Sequence, residues 1–110
     1  GAENLARASA AAGAVLVQYS TDYVFSGDDA GPYPEDAQPA PVSAYGRSKA
    51  EGERRARAAH PEGTIVLRTA WLYGAHGPNF VRTMMRLYRE QGAITVVDDQ
   101  HGQPTWTRDL

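Results

Sequence analysis

Apolar and polar positions along this chain fall into two alternating rhythms. Residues 3–12 (ENLARASAAA) predict the end of a helix, with Gly13 as its C-terminal stop. Residues 14–20 (AVLVQYS) are mostly apolar and rich in β-formers, the pattern of a short strand buried on both faces. Gly27, Gly31, Pro32, Pro34, Pro39 and Pro41 then punctuate a long ordered loop over 21–42. The pattern predicts a helix over 43–59, ended by His60-Pro61-Glu62-Gly63, and a second strand over 64–69. After a loop over 70–77, Pro78 suits the first turn of a helix reaching Glu90. Its Phe80, Met84, Leu87 and Tyr88 recur at i, i+4, i+7 and i+8, which predicts one buried face. Gln91-Gly92 closes that helix, 93–97 (AITVV) predicts a third strand, and 98–110 reads as loop with a helix start near Thr107.

Helices alternating with strands at this spacing argue for an α/β fold, a parallel sheet with flanking helices. Such sheets bind ligands outside the carboxyl ends of their strands. Two stretches are thereby singled out. Ser20-Thr21-Asp22-Tyr23 leaves the first strand, and Thr69-Ala70-Trp71-Leu72-Tyr73 leaves the second.

Composition narrows the picture. The 110 residues make one domain at most, or part of one. Alanine supplies 18 residues, as many as Ile, Leu, Val and Phe together, so the core is expected to be thin. No apolar run is long enough to span a membrane. The chain starts at Gly1 with no charged and then apolar leader, so no signal peptide is expected and the cytoplasm is. Zero cysteines exclude disulfides, thiol catalysis and Cys-zinc sites, and His60, His76 and His101 show no metal-ligand spacing, so no metal is expected. A net charge of −2 gives no pull toward nucleic acid. The arginines at 54, 55 and 57 look self-paired: Glu51–Arg55 and Glu53–Arg57 have the i,i+4 spacing of a solvated helix face.

Candidate chemistry lies in Tyr45-Gly46-Arg47-Ser48-Lys49. On a helix, i and i+4 share a face with Cβ atoms about 5–6 Å apart. An ammonium beside a phenol favours its ionised form, which suits the phenol to acid–base work near neutral pH. Thr21, leaving the first strand, adds a hydroxyl on the same rim of the sheet. Together the three groups can hold a carbonyl and protonate its oxygen. By itself Thr21 reads equally well as a capping or turn residue.

These residues, and five blocks in order, resemble the dTDP-4-dehydrorhamnose reductase family of the extended short-chain dehydrogenase/reductases. The blocks are Gln18–Gly27 (QYSTDYVFSG), Ala44–Glu53 (AYGRSKAEGE), Leu67–Gly74 (LRTAWLYG), Asn79–Met84 (NFVRTM) and Val96–Thr105 (VVDDQHGQPT), and they cover essentially the whole chain. The resemblance implies part of a Rossmann-like parallel sheet and reduction of the 4-keto group of dTDP-4-dehydro-L-rhamnose to dTDP-L-rhamnose, with NADPH or NADH. It implies Tyr45 as proton donor to the C4 oxygen. Lys49 would tune Tyr45 and, with it, hold the nicotinamide ribose, while Thr21 would bond the reacting carbonyl. Asp22, Tyr23 and Trp71 would line the sugar pocket. Asn79 and the Gln100-x-Gly102-x-Pro104-Thr105 stretch would face the nucleotide diphosphate.

Departures from the family pattern also matter. The Gly-x-x-Gly-x-x-Gly fingerprint that cradles the cofactor phosphates is absent. The chain is therefore expected to be an internal fragment. Residues 1–110 would form a single partial domain: the catalytic half of the Rossmann-like domain plus the start of the sugar-nucleotide-binding region. The first dinucleotide-binding half would be missing, and the fragment alone inactive. A homodimer stays open for a full-length parent. Two alternatives also stay open: an epimerase of the same superfamily, and a non-catalytic regulatory subunit. A dehydratase is disfavoured because Thr21 is followed by Asp22-Tyr23 rather than by an Asp-Glu pair.

Overall fold

The structure, a computed structural model, describes residues 1–29 and 31–110; within the predicted 21–42 loop, Ala30 lies outside the described residues. The chain divides into two compact units, Gly1–Arg68 and Thr69–Leu110.

The first unit is a βαβ core with a helix in front. Helix α1 spans Ala2–Ala11, strand β1 Leu16–Thr21, helix α2 Ala44–Ala59 and strand β2 Thr64–Thr69. One 3-10 turn, Asp22–Val24, follows β1 directly. Alanine and the Glu3–Arg7 pair, 2.8 Å apart, favour α1, and Gly13 ends it with φ +65°, as predicted. Ser43 caps α2 by accepting the Gly46 N–H at 2.9 Å, which contributes about 1 kcal/mol. Leu16 N–H donates to the Gly63 carbonyl at 2.8 Å, so β1 and β2 are joined start to start and run in parallel.

Helix α1 lies on α2, with Ala2 against Gly52, and among the described residues Ala6, Val24 and Ala56 form the fully buried apolar core. That core is thin, as the composition predicts; complete burial of Val24 contributes roughly 1.5–3 kcal/mol. Ser20 faces α2, and Leu16 and Gln18 share its side of the strand. On the other side Val15, Val17, Tyr19 and, from β2, Ile65 are exposed. The prediction that this first strand is buried on both faces therefore holds for one face only. A run of apolar residues is compatible with two-sided burial but does not supply the second layer.

In the second unit, strand β3 is Leu72–Tyr73, helix α3 Phe80–Gln91 and strand β4 Thr105–Trp106. β3 and β4 pair in parallel, Leu72 opposite Thr105 and Tyr73 opposite Trp106. Neither strand was expected, because two-residue strands carry no periodicity. The predicted strand over 93–97 does not form; those residues are exposed and have no ladder. The predicted helix start near Thr107 is a turn following β4. Helix α3 begins later than Pro78 because Asn79 caps it, its side-chain oxygen accepting the Arg82 N–H at 3.1 Å. Gly92 ends it with φ +74°. No residue of α3 is fully buried; of the predicted apolar face, Met84 and Leu87 are half-buried while Phe80 and Tyr88 are exposed. Among the described residues, no helix is long and apolar enough to cross a membrane.

Candidate active site

The site grows from the carboxyl end of β1. Thr21 is extended and only 6% exposed. Its hydroxyl accepts the Tyr23 N–H at 3.2 Å and donates to Asp22 Oδ1 at 3.1 Å. The hydroxyl thus caps the 3-10 turn, which lays Asp22 and Tyr23 on the surface just past the strand.

Helix α2 docks against this turn at Gly46. A Cβ there would collide with the Tyr23 carbonyl, so only glycine allows the close approach. The approach brings the Tyr45 ring edge-to-face with Tyr23, centroids 5.9 Å apart at 74°. One turn along, Lys49 Nζ donates to the Tyr19 carbonyl at 2.7 Å. Tyr45 and Lys49 are thereby both tied to the end of β1, where Thr21 sits. Tyr45 is 55% exposed, and among the described residues its hydroxyl has no hydrogen-bond partner. The Lys49 ammonium has three donors and spends one on Tyr19.

Beneath these residues lies a polar cluster that sequence reasoning missed. Glu53, 4% exposed, accepts from Ser20 Oγ and takes both arms of Arg68, Nε at 3.1 Å and Nη2 at 2.7 Å. The expected solvated Glu53–Arg57 pair is corrected accordingly. Glu53 faces inward because Gly46, Glu53 and Ala56 form the buried stripe of α2. That stripe was the available signal: a carboxylate in line with small residues must find partners inside. Burial works to raise the Glu53 pKa. Hydrogen bonds from Arg68 and Ser20, with the charges of Arg68 and Arg57, outweigh it and hold the carboxyl below its ordinary 4.5. The other predicted pair, Glu51–Arg55, does form at 2.6 Å; with Arg54 also bonding it, Glu51 is lowered to about 2.

Trp71 and Asn79 belong to the second unit. Trp71 takes φ +47°, a conformation unusual for a bulky residue, just before β3. Its indole lies against Gly102, where a Cβ would collide with the ring. Asn79 uses both ends of its amide locally, capping α3 and donating to the Gly74 carbonyl at 2.9 Å.

Known proteins agree with this architecture. The dTDP-4-dehydrorhamnose reductase of Streptomyces griseus is 54% identical over 110 residues, all of this chain and 36% of that protein. The dTDP-4-keto-6-deoxy-D-glucose reductase of Streptomyces niveus is 53% identical over 95 residues, 86% of this chain and 33% of its own. A crystal structure of the Bacillus anthracis dTDP-4-dehydrorhamnose reductase in complex with NADP superposes with a TM-score of 0.92 at 49% identity, covering 98% of this chain and 38% of that one. The chain thus spans little more than a third of the length of these relatives. Its sequence matches the RmlD substrate binding domain over residues 1–110, and with the superposed α/β fold this establishes that the chain belongs to that family.

Proposed function

We propose that a full-length protein carrying this segment reduces the 4-keto group of dTDP-4-dehydro-L-rhamnose to dTDP-L-rhamnose, using NADPH or NADH. One observation carries the reading: Tyr45 and Lys49 are both anchored at the end of β1, beside Thr21. Tyr45, exposed and with its hydroxyl unengaged, is the proton donor to the C4 oxygen. Thr21 hydrogen-bonds the reacting carbonyl by turning its proton away from Asp22. Lys49 is held at Tyr19 and keeps two donors for ribose hydroxyls, so the residues present fit the nicotinamide-ribose end of the cofactor. The dinucleotide, when bound, supplies the hydride. Asp22, Tyr23, Trp71 and Asn79 are the substrate-binding residues of this reading. Its first unit is the catalytic half and its second the start of the sugar-nucleotide-binding region. Both reactants are charged nucleotides that do not cross a bilayer, so the reading puts the reaction in the cytoplasm.

A related 4-keto sugar is the second reading, favoured by the 53% identity to a reductase named for dTDP-4-keto-6-deoxy-D-glucose. The test is loss of NADPH absorbance on adding each dTDP-keto-sugar to the full-length protein and to its Tyr45→Phe variant. Turnover should fall by roughly 10²–10⁴ in the variant, with nucleotide-sugar affinity kept. Turnover within a few fold of wild type would overturn the role of Tyr45.

A further inference from the structure

Glu53 joins three elements through one buried carboxylate. It stands four residues beyond Lys49 and eight beyond Tyr45, so it shares their side of α2. Its Oε1 accepts from Ser20 Oγ, and Ser20 lies between Tyr19, which takes Lys49, and Thr21. Both of its oxygens accept from Arg68 near the end of β2. The Arg68 guanidinium in turn covers the Phe25 ring, 4.8 Å from its centroid, and Phe25 stacks on Tyr33 at 4.1 Å. The Tyr33 hydroxyl accepts the Gly27 and Asp29 N–H groups at 3.0 and 3.4 Å. The cluster therefore reaches from α2 through both strands into the loop that follows the 3-10 turn.

We propose that Glu53 is a positioning residue: through Ser20 and Arg68 it sets the height and rotation of α2 against β1, and thereby the placement of Tyr45 and Lys49 beside Thr21. The inference rests on the reductase reading of this site. A buried ion pair is weak evidence for stability, since apolar residues of equal bulk often serve as well. What a forked guanidinium–carboxylate contact adds is direction, because both of its bonds must align at once. The rest of the α2 docking is less directional: a ring contact at Tyr45, a steric fit at Gly46, single hydrogen bonds from Lys49 to Tyr19 and from the Thr64 hydroxyl to the Ala56 carbonyl at 3.3 Å, and an exposed Arg55–Glu3 pair at 3.6 Å. Misplacing a catalytic group by 1 Å costs on the order of 10²-fold in rate.

The experiment uses the full-length protein and two variants, Glu53→Gln and Glu53→Gln/Arg68→Met. The single change sets an amide donor against Arg68 and breaks the fork. The double change also removes the guanidinium, so no buried charge lacks a partner and the melting temperature should recover. Measured are melting, KM and kcat, and hydrogen exchange of the peptide over 44–50. If Glu53 positions α2, the double variant melts like wild type and keeps KM within about 3-fold, yet its kcat stays down roughly 10–10². Its 44–50 peptide also exchanges faster. Wild-type kcat and exchange in a double variant that melts normally would overturn the proposal, leaving Glu53 a stability residue. If the double variant unfolds near assay temperature, Ser20→Ala decides: kcat reduced at least about 3-fold with unchanged melting supports positioning, and unchanged kcat overturns it. A wild-type protein with no turnover would sink the reductase reading, and the exchange result alone would then decide the role of Glu53.

Discussion

Gly46→Ala in the full-length protein should lower both stability and turnover, the reverse of the usual outcome in a helix. Replacing a helical glycine by alanine ordinarily gains about 0.5–1 kcal/mol. At position 46 the new methyl collides with the Tyr23 carbonyl, and the Pro41 Cβ is only 3.0 Å away on another side. Restoring an ordinary C···O separation of about 3.3 Å requires helix and turn to part by roughly 1 Å. Overpacking of this kind costs about 1–3 kcal/mol, so the net change is a loss of about 1 kcal/mol. In a chain of this family's length, with 110 residues making 36% of a relative, that lowers the melting temperature by roughly 1–2 °C. Tyr45 is the adjacent residue, so the same displacement should reduce kcat by about 10². Gly52→Ala is the internal control. It lies on the same helix, and its Cβ would meet only the Ala2 Cβ at 3.8 Å, an ordinary contact. That variant should gain about 0.5–1 kcal/mol with wild-type turnover. Differential scanning calorimetry and steady-state kinetics on the pair are sufficient. A Gly46→Ala protein that melts as high as Gly52→Ala, with kcat within about 3-fold of wild type, would refute the close-approach reasoning.

Two further outcomes are expected. The Glu53 carboxyl titrates below its ordinary 4.5, so its stabilising contribution is fully present above that pH and is lost as pH falls through the lowered value. Stability relative to Glu53→Gln/Arg68→Met should be level down to about pH 4.5 and then decline; a constant difference to about pH 3 would contradict this. Asn79→Ala removes both the cap of α3 and the donor to the Gly74 carbonyl and should cost about 2 kcal/mol, whereas Asn79→Ser keeps the cap, loses only the Gly74 bond and should cost about 1 kcal/mol. A KM that rises in the serine variant as much as in the alanine variant, despite its smaller loss of melting temperature, would add substrate contact to the cap.

How far the chain could be read from its residues depended on where each hydrogen-bond partner lies. Helix α2 and strand β2 were legible because cap, periodicity and stop are local: Ser43 and His60 bracket the helix, and Gly63 precedes the strand. The segment over 93–97 has a comparable strand composition but forms no ladder, because a strand exists only where another backbone pairs with it. β3 and β4 show the converse. Two residues each carry no pattern, yet Thr105 N–H reaches the Trp71 carbonyl at 3.3 Å and Thr107 N–H the Tyr73 carbonyl at 2.9 Å, so the pairing forms. The apolar stripe of α3 was also read correctly as a stripe, while its burial depended on a covering surface that periodicity does not provide.

The site divides along the same line, and the division has a physical cause. Tyr45 and Lys49 were readable because i,i+4 spacing acts within one helix. Glu53 was read by that rule as an outward partner of Arg57. Burial decided otherwise. Gly46 and Ala56 leave room for α2 to close on β1 and the 3-10 turn, and closure turns Glu53 inward with them. Once inside, its carboxylate has Ser20 and Arg68 within reach, while Arg57 remains on the exposed side. The small residues thus act at both ends of the site. At Gly46 they admit the turn that carries Tyr23 against Tyr45, and at Ala56 they let the helix sink far enough for Glu53 to be held from two strands.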